Sequence, residues 1–477
     1  MLAYYTSVAN SIGGVCRLPR GGSVCLHSLL LLILVSAVTV GSLFNALYFY
    51  YPSFNKLNPP SLGKNPFFEL GDVEEHNNQV EAKLKQCAEW GLLRNTSEPL
   101  PRLSEQEEGE LIARGCGTNE TTVVILSSAW FTITYTGAVM TGEVVYAQSV
   151  ISTLNANHYS YLFSSLGYDN HDMRKTVEWW HKYRDNVRMV MADPEQIDVC
   201  WNMDWQKCLK TTGNENGIPA WKILGFWYWD DPGNVLGADF TLSPSPHNPN
   251  HLLSYSIEPV CRQLSSLLPS DRAHPSQAYL LAKQMHYLDN SSLFSWTLIA
   301  LKGLEETFGI KVVGGIREDD EETKKEFEKL GLKNLGELDQ MEFYRQIARS
   351  FVLVGVGRPR ISPSPWDALC VGVPFINPIL TWDEHDPDNR TKWHAQQWRM
   401  TDLEPPYVYH VPAHNIAAFY AAVKAARENP IESYIPKYMQ WDFVMRRMGE
   451  VLEDDWRGRA EKLLEEWLKN GGRTFLL

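Results

Sequence analysis

The chain has 477 residues, with 44 basic side chains against 57 acidic ones and a net charge of −13 at neutral pH. That acid excess argues against nucleic acid as a partner. A hydrophobic content of 44% is ordinary for a chain with packed cores, and the length suggests two or three domains.

No Asp, Glu, Lys or Arg occurs between Arg20 and Lys56. Leu29 to Leu47 is long enough, at about 1.5 Å per residue, to cross a bilayer core of roughly 30 Å. Tyr48, Phe49, Tyr50 and Tyr51 follow as an interfacial aromatic belt. Arg17 and Arg20 precede the span, while Glu69, Asp72, Glu74 and Glu75 follow it. The positive-inside rule then makes 1–23 a cytoplasmic tail, 24–51 a transmembrane signal anchor and the remainder lumenal. A cleavable signal peptide would have a shorter apolar region ending in small residues. Four Asn-x-Ser/Thr acceptors, at Asn95, Asn119, Asn290 and Asn389, all lie beyond the span. Six cysteines share that side, where disulfides persist. Cys200 and Cys208 are close enough for a local bridge, and Cys370 reads as a buried free thiol. The stretch 52–114, rich in Pro, Asn, Glu and Gln, reads as a stem with one short helix around Val80 to Leu93.

Strand and helix periods then alternate. Thr121 to Ser127 reads as a buried strand, Gly137 and Gly142 bracket a loop, and Glu143 to Leu154 is helical by period. Strands at Tyr159–Ser164 and Val187–Met191 flank a helix at Met173–Tyr183. Residues 115–270 are therefore expected to form a Rossmann-like domain, although 198–250 yields no clear pattern. The hinge falls at 264–277. A second alternation follows over 271–435: strand 278–282, helix 292–308, strand 310–314, helices 321–330 and 341–349, and strand 351–354. The last 42 residues, 436–477, read as C-terminal helices.

The most informative stretch is Ser350 to Pro378. A β-branched apolar run ends at Gly355, and Gly355 and Gly357 let the backbone turn sharply and approach a ligand. Ser364 is placed as an N-cap, with Pro365 opening a short helix and Asp367 in its first turn. A strand, a glycine loop and a helix N-terminus form a candidate phosphate site. Many such loops bind nothing, and both readings stand on these residues alone.

The order Gly355-Val-Gly-Arg-Pro-Arg-Ile-Ser-Pro-Ser-Pro-Trp-Asp-Ala, then Gly372-Val-Pro-Phe-Ile-Asn-Pro378, resembles the donor-binding segment of glycosyltransferase family 18. That family comprises the α-1,6-mannosylglycoprotein 6-β-N-acetylglucosaminyltransferases. Its stretch reads Gly-Leu-Gly-Phe-Pro-Tyr-Glu-Gly-Pro-Ala-Pro-Leu-Glu-Ala, then Gly-Cys-x-Phe-Leu-Asn-Pro. The likeness continues through Tyr407-Val-Tyr-His-Val and Ile431-Glu-Ser-Tyr-Ile-Pro436, and covers 120–455, more loosely before 340. It implies a GT-B fold of two Rossmann-like domains. It also implies a Golgi type II membrane enzyme that moves N-acetylglucosamine from UDP to a mannose hydroxyl of an N-glycan or glycoprotein acceptor, with inversion and without an essential metal or other cofactor.

Such transfer needs a carboxylate to take the acceptor proton and cations or dipoles to neutralise the leaving diphosphate. Gly142-Glu143-Val-Val-Tyr-Ala-Gln-Ser149 matches a family helix beginning Gly-Glu-Leu-Val-Gln-Trp-Ser, which makes Glu143 the candidate base. Its alternative is a first-turn glutamate that complements the helix dipole. Asp367 matches a family Glu implied to hold the ribose hydroxyls; the alternative is a capping-box partner of Ser364. Gly355 and Gly357 would line the diphosphate, joined by Ser364, Arg358 and Lys283, which ends the first strand of the second domain. His247, in a Pro-His turn, is a further candidate for the cleft. Ile361 stands where the family has a second Glu, and Arg358 and Arg360 replace Phe and Tyr. These departures keep open a different donor or acceptor, or a non-catalytic lumenal binding protein on a degenerate scaffold. Asp230-Asp231, Asp319-Asp320 and Glu384 to Asp388 read as solvated loops, not as a metal clamp.

Overall fold

The computed structural model describes residues 68–97, 103–137, 141–165, 172–203, 207–264, 276–284, 286–289, 294–317 and 331–477, with Lys325 and Lys329. The expected membrane span and cytoplasmic tail, most of the hinge, all of helix 321–330 but Lys325 and Lys329, and Asn290 lie outside these residues. No helix among the described residues is long and apolar enough to cross a membrane.

The stem expected over 52–114 does not extend past Phe68. Helix α1 (Val73–Glu89) is capped by Asp72, which accepts from Glu75 N at 2.8 Å. It buries Val73, Asn77, Leu84 and Cys87 on one side. The Asn77 amide donates to Phe163 O and accepts from Phe163 N, both at 2.9 Å, so one side chain does the work of a neighbouring strand at a sheet edge. Helix α2 (Glu105–Ile112) starts at a Ser104–Glu107 capping box. A Cys87–Cys116 disulfide ties α1 to the chain entering the first strand. Cys116→Ser is expected to cost about 3 kcal/mol, since the bridge closes a loop of 29 residues. Chemical denaturation of oxidised parent and variant checks it.

Strand β1 (Val123–Leu126) is buried at every position, as a strand covered on both faces must be. Helices α3 (Ala129–Thr136) and α4 (Gly142–Ala156) follow, then β2 (Ser160–Phe163), α5 (Arg174–Tyr183) and β3 (Val187–Ala192). Next come α6 (Pro194–Asn202), which runs into the patternless stretch 198–250, β4 (Ile223–Phe226) and β5 (Thr241–Ser243) within it, and β6 (His251–Leu252) just beyond it. All six strands are parallel, in the order β2-β1-β3-β4-β5-β6. Helix α7 (Glu258–Leu264) closes this lobe.

The second lobe runs β7 (Gln277–Leu281), α8 (Leu298–Phe308), β8 (Lys311–Gly314), β9 (Leu332–Asn334), α9 (Gln340–Arg349), β10 (Val352–Gly355) and α10 (Ser364–Cys370). It continues with β11 (Phe375–Thr381), β12 (His394–Ala395), β13 (Val408–Pro412) and α11 (Ile416–Glu428). Its order is β12-β11-β10-β7-β8-β9, with β13 parallel to β11 and β12 alone antiparallel. Cys200 pairs with Cys208 as expected, but Cys370 is not a free thiol: it pairs with Cys261 of α7 and cross-links the lobes. Ser364 does not cap α10 either; Pro363 holds that position and makes no side-chain cap bond.

Helices α12 (Trp441–Glu453) and α13 (Trp456–Asn470) return to the first lobe. Trp456 packs on Phe240 and His251, and Arg188 Nε donates to Leu452 O at 2.5 Å. The tandem of parallel sheets and the returning C-terminal helices agree with the expected GT-B plan.

Candidate active site at the junction of the lobes

In open parallel sheets, ligands bind beyond the carboxyl ends of strands where the strand order reverses. The first sheet reverses between β1 and β3, and the second between β7 and β10. Glu143, Tyr228, Lys283 and the loop at Gly355 and Gly357 follow strands at these ends or the next one along, whereas His247 follows β5 and Gln396 and Arg399 follow β12.

Glu143 lies in the first turn of α4, whose N-cap is Thr141. Its carboxylate is half-buried and has no hydrogen bond or ion pair among the described residues. A Cβ on Gly142 would meet the Tyr228 ring at 2.6 Å, so only glycine permits this approach. Lys283, after β7 in the other lobe, keeps an exposed surface yet sits recessed among protein atoms. That desolvation lowers its ammonium pKa, while Glu143 pulls it up and Arg317 pushes it down. An exposed but recessed lysine that feels a carboxylate of the opposite lobe faces the junction.

Tyr228, after β4, crosses the junction. Its hydroxyl donates to Ile361 O at 2.8 Å. Burial holds its pKa far above the usual phenol range; Arg399 opposes this, and Glu143 and Asp367 both reinforce it. The charges of both candidate carboxylates therefore reach one side chain.

The glycine loop is organised by a residue that pattern reading overlooked. Gln396 is buried; its Oε1 accepts from Gly357 N at 2.8 Å and its Nε2 donates to Pro359 O at 3.1 Å. Its backbone carbonyl accepts from Ile361 N at 2.9 Å. A Cβ on Gly355 would lie 2.5 Å from Gln396 Oε1, and Gly357 has φ +104°. Gly355 is thus needed for packing and Gly357 for its backbone conformation, and one loop amide is already spent on Gln396. Gln396→Ala leaves a buried N–H unpaired and is expected to cost about 1–3 kcal/mol, checked by urea denaturation. No polar pattern marks such a glutamine in sequence, because its partners are all backbone atoms.

Asp367 is buried, and its Oδ1 accepts from Tyr344 OH at 3.1 Å. Burial raises its pKa to about 7, against the lowering effect of that hydrogen bond. The capping box with Ser364 is not formed: the Ser364 hydroxyl lies 3.0 Å from that of Ser362 instead. Ile361 is buried in the apolar cluster shared by the lobes, at φ +48°. Arg358 and Arg360 are half-buried and make no ion pair among the described residues.

Further contacts cross the junction. Arg399 Nη2 donates to Tyr228 O at 2.6 Å and to Asp230 Oδ1 at 2.9 Å. The expectation of a solvated Asp230 loop is therefore corrected for that residue. His247 Nε2 lies 3.5 Å from Asp402 Oδ2, and its Nδ1 lies 3.2 Å from Ser245 Oγ. Deeper in the first lobe, Asp193 accepts from Ser128 Oγ at 2.7 Å and Ala129 N at 3.1 Å, joining the ends of β1 and β3. Burial raises the Asp193 pKa to about 6, with Glu143 adding to the effect. Among the described residues no group of His, Cys, Asp and Glu could hold a metal ion.

Asn95 and Asn119 are exposed and Asn389 is half-exposed. Asn119 Nδ2 donates to Asn157 O at 3.0 Å, and Asn389 Nδ2 to Asp386 Oδ2 at 3.1 Å.

These features define a class, the two-lobed proteins whose doubly wound domains turn their carboxyl ends towards one junction. No family profile matches the sequence. The chain is similar to the curated human alpha-1,6-mannosylglycoprotein 6-beta-N-acetylglucosaminyltransferase B, 24% identical over 131 residues. The match spans 26% of this chain and 16% of that relative's length. Among solved structures, AviGT4, a glycosyltransferase involved in avilamycin A biosynthesis, is 10% identical and aligns over 74% of this chain and all of that one, at a TM-score of 0.39. Sucrose-phosphate synthase of Thermosynechococcus elongatus is 11% identical over 73% of this chain and 99% of its own, at 0.38. The UDP-GlcNAc 2-epimerase of Methanocaldococcus jannaschii is 11% identical over 69% and 99%, at 0.38.

Proposed function

We propose that the protein is an inverting glycosyltransferase that takes N-acetylglucosamine from UDP-N-acetylglucosamine and places it on a mannose hydroxyl of an N-glycan. The observation that carries this is the half-buried Glu143 carboxylate, unpaired among the described residues and opposed across the lobes by Lys283. Glu143 takes the proton from the acceptor hydroxyl as its oxygen attacks C1 of the donor sugar. UDP leaves from the opposite face with the bonding electron pair. Lys283, Arg358 and the loop at Gly355 and Gly357 neutralise the diphosphate, while Ser364 and Asp367 face the nucleoside end. His247 contributes at the rim. No metal takes part. The apolar run at 29–47 anchors the chain in the Golgi membrane as a type II protein, with the lobes lumenal and glycans on Asn95, Asn119, Asn290 and Asn389.

A second reading is favoured by three observations: Ile361 is apolar and buried, Gln396 occupies the Gly357 amide, and Tyr344 holds Asp367. It is a lumenal protein that binds a nucleoside diphosphate or glycan without turnover. The test is transfer by the full-length chain in detergent, with UDP-N-acetylglucosamine, a mannose-terminated N-glycan and EDTA. A glycan heavier by one N-acetylhexosamine is expected. UDP binding without that gain supports the second reading, and neither binding nor gain overturns both.

A further inference from the structure

The segment after β12 brings an arginine into the junction that neither glycine spacing nor charge clustering singles out. The Arg399 side chain is 3% exposed, whereas its partner Asp230 is 32% exposed. The guanidinium carbon lies 5.0 Å from the Tyr228 ring centroid, and the hydroxyl of that ring touches the glycine loop at Ile361. Of the five guanidinium N–H donors, only those on Nη2 have partners among the described residues, and the fully buried Nε has none. A buried charged group with unmade hydrogen bonds is costly, and a single carboxylate oxygen cannot satisfy a planar fork of five donors.

We propose that Arg399 is a ligand of the donor's diphosphate, held by Asp230 in the empty protein and released to the phosphate oxygens when a nucleoside diphosphate enters. This rests on the donor class proposed above. A diphosphate offers several anionic oxygens where Asp230 offers one, so the fork gains partners on exchange. Asp230 is accessible enough to be solvated once released. Because Arg399 Nη2 also holds Tyr228 O, the exchange shifts the tyrosine whose ring packs against Gly142, next to Glu143. Donor binding is thereby coupled to the position of the acceptor-side carboxylate.

The test compares UDP and uridine binding by calorimetry, using the full-length chain in detergent and its Arg399→Gln, Asp230→Asn and doubly substituted variants. Asp230→Asn removes the competing charge and should tighten UDP binding severalfold. Arg399→Gln should weaken UDP binding by about tenfold or more, and in its presence Asp230→Asn should give no gain. Uridine, which lacks the diphosphate, should bind all four proteins alike. Equal losses for UDP and uridine, or a weakening by Asp230→Asn, would mean that Arg399 merely braces the interface and would overturn the proposal. Asp230→Asn keeps a hydrogen-bond acceptor, so that arm decides even where Arg399→Gln folds poorly. If the parent chain binds UDP and transfers sugar but these shifts are missing, only the latch fails. If it binds no UDP, the donor reading fails as well.

Discussion

Glu143→Gln is expected to lower the rate of sugar transfer by about 10²- to 10⁴-fold, the usual contribution of a positioned general base. The thermal midpoint and UDP affinity should stay close to those of the parent. The side chain makes no hydrogen bond or ion pair among the described residues, so the isosteric amide breaks no packing or polar contact there. It cannot accept a proton in the transition state, which is the only function removed. A helix-dipole role predicts the reverse: a loss of about 0.3–1 kcal/mol in stability, with turnover unchanged. Single-turnover rates and denaturation curves on one preparation separate the two. Near-normal turnover would remove Glu143 from the chemistry and leave the cleft without a base.

The fold was readable where burial and period coincide. β1, β2, β3, β7, β8 and β10 are short β-branched or apolar runs bounded by turn residues, and each lies within a residue or two of its expected span. The stretch from Asp198 to Asn250 was not readable, because its β5 is three residues long and β6, just beyond it, only two. Their places are set by parallel neighbours instead of their own pattern. The stem reading placed a helix at Val80 to Leu93, overlapping α1, but missed its first two turns and its packing for a related reason. Its outer face is so polar that composition resembles a linker, and only the docking of Val73, Asn77 and Leu84 reveals a packed element. Cys370 was misjudged because its partner is 109 residues away, and pairing at that distance depends on how the lobes close. Among the candidate residues, Glu143 was legible through its match to a family helix and Lys283 through its place after a strand. Gln396, Tyr228 and Arg399 were not, since what they touch is backbone or the opposite lobe.

Asp367→Asn should change how stability depends on pH, with a sign opposite to that of a salt-bridged carboxylate. Burial lifts the Asp367 pKa from 3.8 to about 7, so the folded state binds more protons than the unfolded chain between those values. Its contribution is fully present below pH 3.8 and is lost as pH rises through about 7. At 1.36 kcal/mol per unit the ceiling is about 4 kcal/mol. The asparagine has no charge to bury and retains a carbonyl for Tyr344 OH. The variant should therefore gain on the parent as pH rises from 5 to 8, and a urea midpoint difference that ignores pH would show that the carboxyl is not buried as described. The same ionisation bears on the donor. A charged carboxylate accepts more strongly from ribose hydroxyls than the one carbonyl oxygen of the neutral acid, so binding through Asp367 should favour the charged form and release a proton near neutral pH. UDP affinity should rise through pH 7 in the parent and lose that rise in Asp367→Asn. Stability that tracks pH while UDP affinity does not would confine Asp367 to the tyrosine pair and assign the ribose to other groups.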